Sequence, residues 1–270
     1  MTRRRLLLTT TAVLSSRHSL VAAAASSTAP LSTNTCSAED HGFTMEPLGP
    51  EHDGVPPLEG CKDVYFVRHA EGIHNRDSRE IPNFGTTLSL TEAYRDSPLT
   101  FTGMKQCDKL AEEVSALKVP PEIVIVSPLQ RAIHTAQLGF RYNPTTPPPF
   151  LATELARERI SVHTCDWRRP KSVIEKDFPF VDMSLIESEE DDMWLLKEMT
   201  PAEYDSDDCR ARAAKLLHWL LDRPETTLAV VAHWVFYTHL FGLFSGGSDG
   251  GAALREKFGN AEMRRVRLCR

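Results

Sequence analysis

The chain has 270 residues, 41% hydrophobic and 25% charged, which is ordinary globular composition and excludes a disordered or fibrous protein. Four of its 31 basic residues, Arg3, Arg4, Arg5 and Arg17, precede the first acidic one, Glu39, so the remainder sets 27 against 37 and carries −10 of the formal net charge of −6. Nucleic acid is therefore not an expected partner, because binding it needs a basic face.

The first 27 residues, MTRRRLLLTTTAVLSSRHSLVAAAASS, join an Arg-rich start to a brief apolar run and many small residues. They are too short and too interrupted to span a bilayer. A secretory signal, an organellar transit peptide, a twin-arginine address and an unprocessed tail all fit them. The stretch 29–57, rich in Ser, Thr, Gly and Pro, is expected to be a poorly ordered lead-in. We therefore expect a leader and lead-in over 1–57 and one catalytic domain over 58–270. No membrane partner is expected, and neither compartment nor oligomeric state can be read.

Residues 64–67 (VYFV) predict a buried parallel strand, since consecutive β-branched and aromatic residues leave no polar face. Arg68 and His69 follow at its carboxyl end, where open α/β sheets bind ligands. The segment from Asn75 to Thr91 has no clear period and predicts a surface loop. Thr102 is the expected cap of a helix whose Met104, Cys107, Leu110, Val114 and Leu117 share one face, ended by Pro120 and Pro121. Residues 122–126 (EIVIV) predict a second buried strand. Ser127 and Pro128 then open a helix with Arg131 in its first turn, where free amides and a guanidinium make an anion site.

Prolines keep 141–150 irregular. The region 141–200, with the acidic run 187–192 (ESEEDD), is expected to form a cap-like insertion. Pro201 begins a long amphipathic helix through Asp222, and 227–232 (TLAVVA) predicts a third buried strand ending at His233. The loop 246–251 (GGSDGG) is expected to be flexible. A last strand follows, with Arg264, Arg265 and Arg267 exposed at a sheet edge. The six cysteines, scattered with no CxxC pair, are expected as reduced, partly buried thiols.

Arg68-His69-Ala70-Glu71-Gly72 with Asn75, then 96–107 (DSPLTFTGMKQC), 127–136 (SPLQRAIHTA) and 230–239 (VVAHWVFYTH), resemble in content and order the motifs of the histidine phosphatase superfamily, the phosphoglycerate mutase-like proteins. The stretch 152–170 (ATELARERISVHTCDWRRP) resembles the branch common in plants, fungi and algae. The resemblance spans about 62–270. It implies an α/β fold, a three-layer α/β/α sandwich with a mostly parallel sheet, and a metal-independent phosphatase of small phosphate monoesters that needs no cofactor. It further implies His69 as the nucleophile that carries a phosphohistidine. Arg68, Arg131 and His233 would hold the phosphoryl oxygens, with Asn75 and the amide of Trp234 adding bonds. Trp234 departs from the small residue that many relatives place there, and its indole is expected to narrow the pocket.

For the acid/base carboxylate, Glu158 is chosen and Glu154 is the runner-up, their spacing of four being compatible with one helix face. His74 lies five residues after His69 but lacks supporting metal ligands. His134, His163, His218 and His239 are read as core, turn or helix-surface residues. A phosphomutase, which returns the phosphoryl group to a second hydroxyl, and a catalytically silent phospho-ligand scaffold remain as alternative functions.

Overall fold

The computed structural model describes residues 42–49, 52–140, 147–199, 206–244 and 254–270. The leader, the Pro-rich 141–146, Pro201 and the GGSDGG loop lie outside the described residues.

Three apolar runs form the middle of the sheet. β2 (Cys61–Arg68), β3 (Ile123–Val126) and β6 (Thr227–Ala232) are buried almost throughout, as expected of parallel strands covered on both faces. The strand order is β1-β7-β2-β6-β3-β4-β5, where β1 is Thr44–Pro47, β4 Phe150–Ala152, β5 Val181–Asp182 and β7 Met263–Cys269. Strands β2, β6, β3, β4 and β5 run parallel, while β7 is antiparallel to β2 and β1 is antiparallel to β7.

Alternate residues along each strand point to opposite faces. Val64, Phe66, Ile125 and Val230 pack with Leu216, Leu217 and Leu220 of α6 (Ser206–Asp222) and Phe236 and Leu240 of α7 (Trp234–Gly242). On the other face Tyr65, Val67, Val124 and Val231 meet Leu110 and Val114 of α2 (Phe101–Ser115) and Ile133 and Ala136 of α3 (Gln130–Phe140). The result is the expected three-layer α/β/α sandwich with a mostly parallel sheet.

Several local expectations are corrected. The segment after Asn75 is no loop: α1 spans Ile73–Glu80 and short 3-10 turns follow at Phe84–Thr86, Leu88–Leu90 and Glu92–Tyr94. Thr100, two residues earlier than expected, caps α2, its hydroxyl accepting from Gly103 N at 2.9 Å. Within the supposed lead-in, 44–47 is β1, and it covers β7. β7 therefore lies inside the sheet. Its Arg267 is buried against Asp63, Nε to Oδ1 2.8 Å, because an inward cation needs a counter-charge. Arg264 and Arg265 are likewise mostly buried and paired, with Glu262 and Asp53.

The supposed cap region contributes β4 and β5 to the main sheet, together with α4 (Lys171–Asp177) and α5 (Asp192–Met199). Cys61 and Cys269 face each other across β2 and β7 and form a disulfide, while Cys107, Cys165 and Cys209 are buried free thiols. The two bridged cysteines are 208 residues apart in the chain, so no sequence spacing could announce the bond. No helix of the described residues is long and apolar enough to cross a membrane.

Candidate active site

The register of the parallel strands brings their carboxyl ends to one line. Arg68 pairs with Ala232 and Val126 with Val231, so His69, His233 and Ser127 leave the sheet side by side. His69 N donates to Ala232 O at 2.9 Å, and Ser127 N to Val231 O at 3.1 Å. The two imidazoles, both buried, have ring centroids 5.0 Å apart.

The partners of His69 settle its tautomer. Nδ1 lies 2.7 Å from Ala70 O, and a carbonyl only accepts, so Nδ1 carries the hydrogen and Nε2 keeps its lone pair. The main chain here is pinned: Asn260 Nδ2 donates to His69 O at 3.0 Å and Ala70 N donates to Thr135 Oγ1 at 2.9 Å. Burial, then the guanidiniums of Arg131 and Arg68, hold the His69 imidazole well below the ordinary range, and burial with Arg131 does the same to His233. Both rings are thus neutral at neutral pH. His233 Nε2 shares a hydrogen bond with Ser127 Oγ at 2.7 Å, and its buried Nδ1 has no protein partner among the described residues.

Arg131, in the first turn of α3, is almost wholly buried and turned into the site. It is not a free fork. Nη2 donates to Asp166 Oδ1 at 2.9 Å and Nη1 to Cys165 O, leaving Nε without a partner. The sequence reading missed Asp166, whose only local signal is its place in the CDWRR stretch. Arg68 Nη1 donates to Phe258 O at 2.7 Å, and its buried Nε is also unpartnered. Burial lowers the Arg68 pKa, an effect opposed by Glu158.

The structure separates the two candidate carboxylates. Glu154–Ala156 is a single 3-10 turn and Arg157 is extended, so there is no shared helix face. Glu154 is bound to Arg157 and Arg168, at 2.8 Å each. Glu158 instead abuts the start of α7, whose N-cap is His233. Its Oε1 accepts from Phe236 N at 2.7 Å and Arg159 N at 2.8 Å, and its Oε2 accepts from Val235 N at 3.2 Å. Arg212 holds this segment by donating to Leu155 O at 3.2 Å and Glu158 O at 3.1 Å. Burial first and Asp166 second push the Glu158 pKa up.

Asn75 Oδ1 accepts from Gly72 N at 3.0 Å and so closes the first turn of α1. The indole of Trp234 is half-buried and packs against the apolar layer of α6 and α7. His74, set aside from the sequence, has its ring centroid 5.8 Å from that of His69. It lines a recess of about 400 Å³ with Asn75, Ser78, Phe84, Ser89, His163 and Cys165. His163, expected to be a turn residue, shares a hydrogen bond through Nδ1 with Ser89 Oγ at 2.9 Å. Among the described residues no group of three or more His, Cys, Asp and Glu side chains could hold a metal ion.

One close approach fixes the loop after His69. A Cβ on Gly103 would lie 2.2 Å from Glu71 O, while Glu71 O accepts from Thr100 N at 2.9 Å. Neither backbone can yield. Gly103→Ala is accordingly expected to lower stability by about 1–3 kcal/mol, the usual range for overpacking, and to displace the 69–72 loop. An unchanged denaturation midpoint would show that the contact is not constraining.

Residues 64–148 match the family model described as histidine phosphatase superfamily (branch 1). The chain is 37% identical over 213 residues to phosphoglycerate mutase-like protein 1 of Arabidopsis thaliana, covering 69% of this chain and 73% of that one. A second Arabidopsis phosphoglycerate mutase-like protein is 33% identical, covering 71% of this chain and 77% of its own length. The chain is also 29% identical, over 64% of its length and 74% of the relative's, to a protein of Schizosaccharomyces pombe named "Probable phosphatase".

Proposed function

The chain belongs to the histidine phosphatase superfamily, and on that premise we propose that it hydrolyses small phosphate monoesters, without a metal, through a phosphohistidine at His69. The observation that carries this reading is the neutral His69, its Nδ1–H spent on Ala70 O and its ring 5.0 Å from that of His233 between centroids. A ring so held is a nucleophile that needs no further deprotonation.

In the first step Nε2 bonds to phosphorus as the bond from phosphorus to the leaving oxygen breaks, and that oxygen takes a proton from Glu158. In the second, Glu158 as carboxylate removes a proton from water, the resulting oxygen bonds to phosphorus, and the phosphorus–nitrogen bond breaks to free phosphate and neutral His69. Arg68, Arg131 and His233 would stabilise the charge on the equatorial oxygens, with Asn75 Nδ2 and the amide of Trp234 as further donors. Guanidiniums in a buried site can supply the neutralisation that a divalent cation gives elsewhere. The leader over 1–27 is proposed to direct the protein to an organelle or the secretory pathway.

Release of inorganic phosphate from a chromogenic monoester in EDTA tests the reading, set beside conversion of 3-phosphoglycerate to 2-phosphoglycerate. Mutase activity without net phosphate release would replace it. The proton donor has its own signature. Activity needs His69 neutral and Glu158 protonated; the depressed His69 pKa moves the acid limb down, and activity falls as pH rises through the raised Glu158 pKa. Glu158→Gln is expected to remove that alkaline limb and cost about 10²–10⁴-fold in kcat on an alkyl phosphate. The loss should be smaller with p-nitrophenyl phosphate, whose leaving group needs no proton. Equal losses on both esters with the limb intact would move the acid elsewhere.

A further inference from the structure

The recess beside His69 is lined by short polar groups, two imidazoles and one aromatic ring. Its polar lining comes from His74, Asn75, Ser78, Ser89 and His163, with the ring of Phe84 as an apolar wall, and among the described residues it holds no carboxylate, ammonium or guanidinium. Two links join it to the phosphoryl site: His74 stands 5.8 Å from His69 between ring centroids, and Cys165, which lines it, gives its carbonyl to Arg131. The recess thus adjoins both residues between which the phosphoryl group is proposed to lie. At about 400 Å³ it falls at the small end of ligand pockets.

We infer that the recess binds the leaving alcohol and that the substrates are phosphate monoesters of uncharged, polyhydroxylated alcohols, the sugar-phosphate class, rather than of hydroxy acids or amino acids. This rests on the phosphatase reading above for the place of the phosphoryl group. Imidazole, carboxamide and hydroxyl groups both donate and accept, which matches hydroxyls, while Phe84 offers a face for carbon-bound hydrogens. Burial and the nearby guanidiniums keep His74 neutral, so it offers no counter-charge. The basic residues of α1, Arg76 and Arg79, are paired with Asp77 and Glu71. With Arg68 and Arg131 spent on the phosphoryl group, a carboxylate placed here would lose its water without finding a cation in the lining, and an unpaired ion in such a place is strongly disfavoured.

Glycerol 3-phosphate and 3-phosphoglycerate differ only in whether the far carbon is a hydroxymethyl group or a carboxylate, so they test the inference directly. Their affinities are measured by calorimetry on the full-length His69→Ala protein at pH 8, above the ordinary imidazole range. Glycerol 3-phosphate is expected to bind at least tenfold more tightly, a gap of about 1.4 kcal/mol. Ser78→Lys, made in the same background at an exposed position of α1, adds an ammonium to the wall and should narrow the ratio at least threefold. Equal affinities, tighter binding of 3-phosphoglycerate, or a ratio unmoved by the lysine would overturn the inference. Wild-type phosphate release reads the other question: if it is absent while the tenfold preference holds, the phosphatase reading falls and the recess assignment stands.

Discussion

His69→Ala is expected to abolish the phosphoenzyme and to cut phosphate release by about 10³–10⁶-fold, the scale seen when a covalent nucleophile is removed. The reason is positional. Of the two facing rings, His69 has its Nδ1 hydrogen committed to a rigid carbonyl, Ala70 O, with the backbone on either side tied to Asn260 and Thr135. His233 shares its Nε2 with the Ser127 hydroxyl and has no such backbone anchor on its Nδ1 among the described residues. The fold should survive, because the variant removes a neutral buried ring and leaves one carbonyl unpaired, a cost of about 1–3 kcal/mol. Acid-quench trapping with mass spectrometry would locate the modified residue in the wild type, and near-ultraviolet circular dichroism would report on packing in the variant. Persistent phosphate release from a folded His69→Ala protein would sink the mechanism, and a silent wild type would favour a phospho-ligand scaffold.

Substitution of Arg131 should separate charge from shape. Arg131→Lys keeps the positive charge but loses the planar fork that can face Asp166 with one nitrogen while another meets an oxyanion. A loss of about 10²–10³-fold in kcat is expected, as for one oxyanion donor, with a smaller effect on stability. Arg131→Ala adds a second penalty. Asp166, also buried, would be left as an unpaired carboxylate, a situation that usually costs about 3–5 kcal/mol. Removing Asp166 as well should return most of that stability and none of the activity. Urea midpoints and kcat measured across the four proteins decide the matter; if Arg131→Lys retains full turnover, the fork is not part of the chemistry.

The reading along the chain located the three central strands and the residues at their ends because burial on both faces is written in consecutive apolar residues. It erred where a neighbour supplied the deciding partner. Residues 73–80 have little apolar periodicity, yet the carboxamide of Asn75 closes the first turn on Gly72 and Ile81 N bonds back to Asp77 O. Thr100 outcompeted Thr102 as a cap because Glu71, from a distant strand end, fixes its backbone and hydroxyl. The three arginines of β7 looked like an exposed edge until β1, from a stretch of unremarkable composition, was laid over them. Glu154 and Glu158 are alike in sequence, and only the arginines around the first and the α7 amides around the second tell them apart.

What the sequence determined alone is the layered α/β architecture, the emergence of His69 and His233 at the ends of buried strands and that of Arg131 in the first turn of a following helix, since hydrophobic runs and strand-to-helix turns are local properties. Only the tertiary structure decided which group meets which: Asp166 against Arg131, Glu158 on α7, Cys61 with Cys269, and a recess beside the nucleophile whose described lining has no carboxylate, ammonium or guanidinium. Pairing energies depend on distance through space and on exclusion of water, and neither is encoded in the separation of residues along the chain.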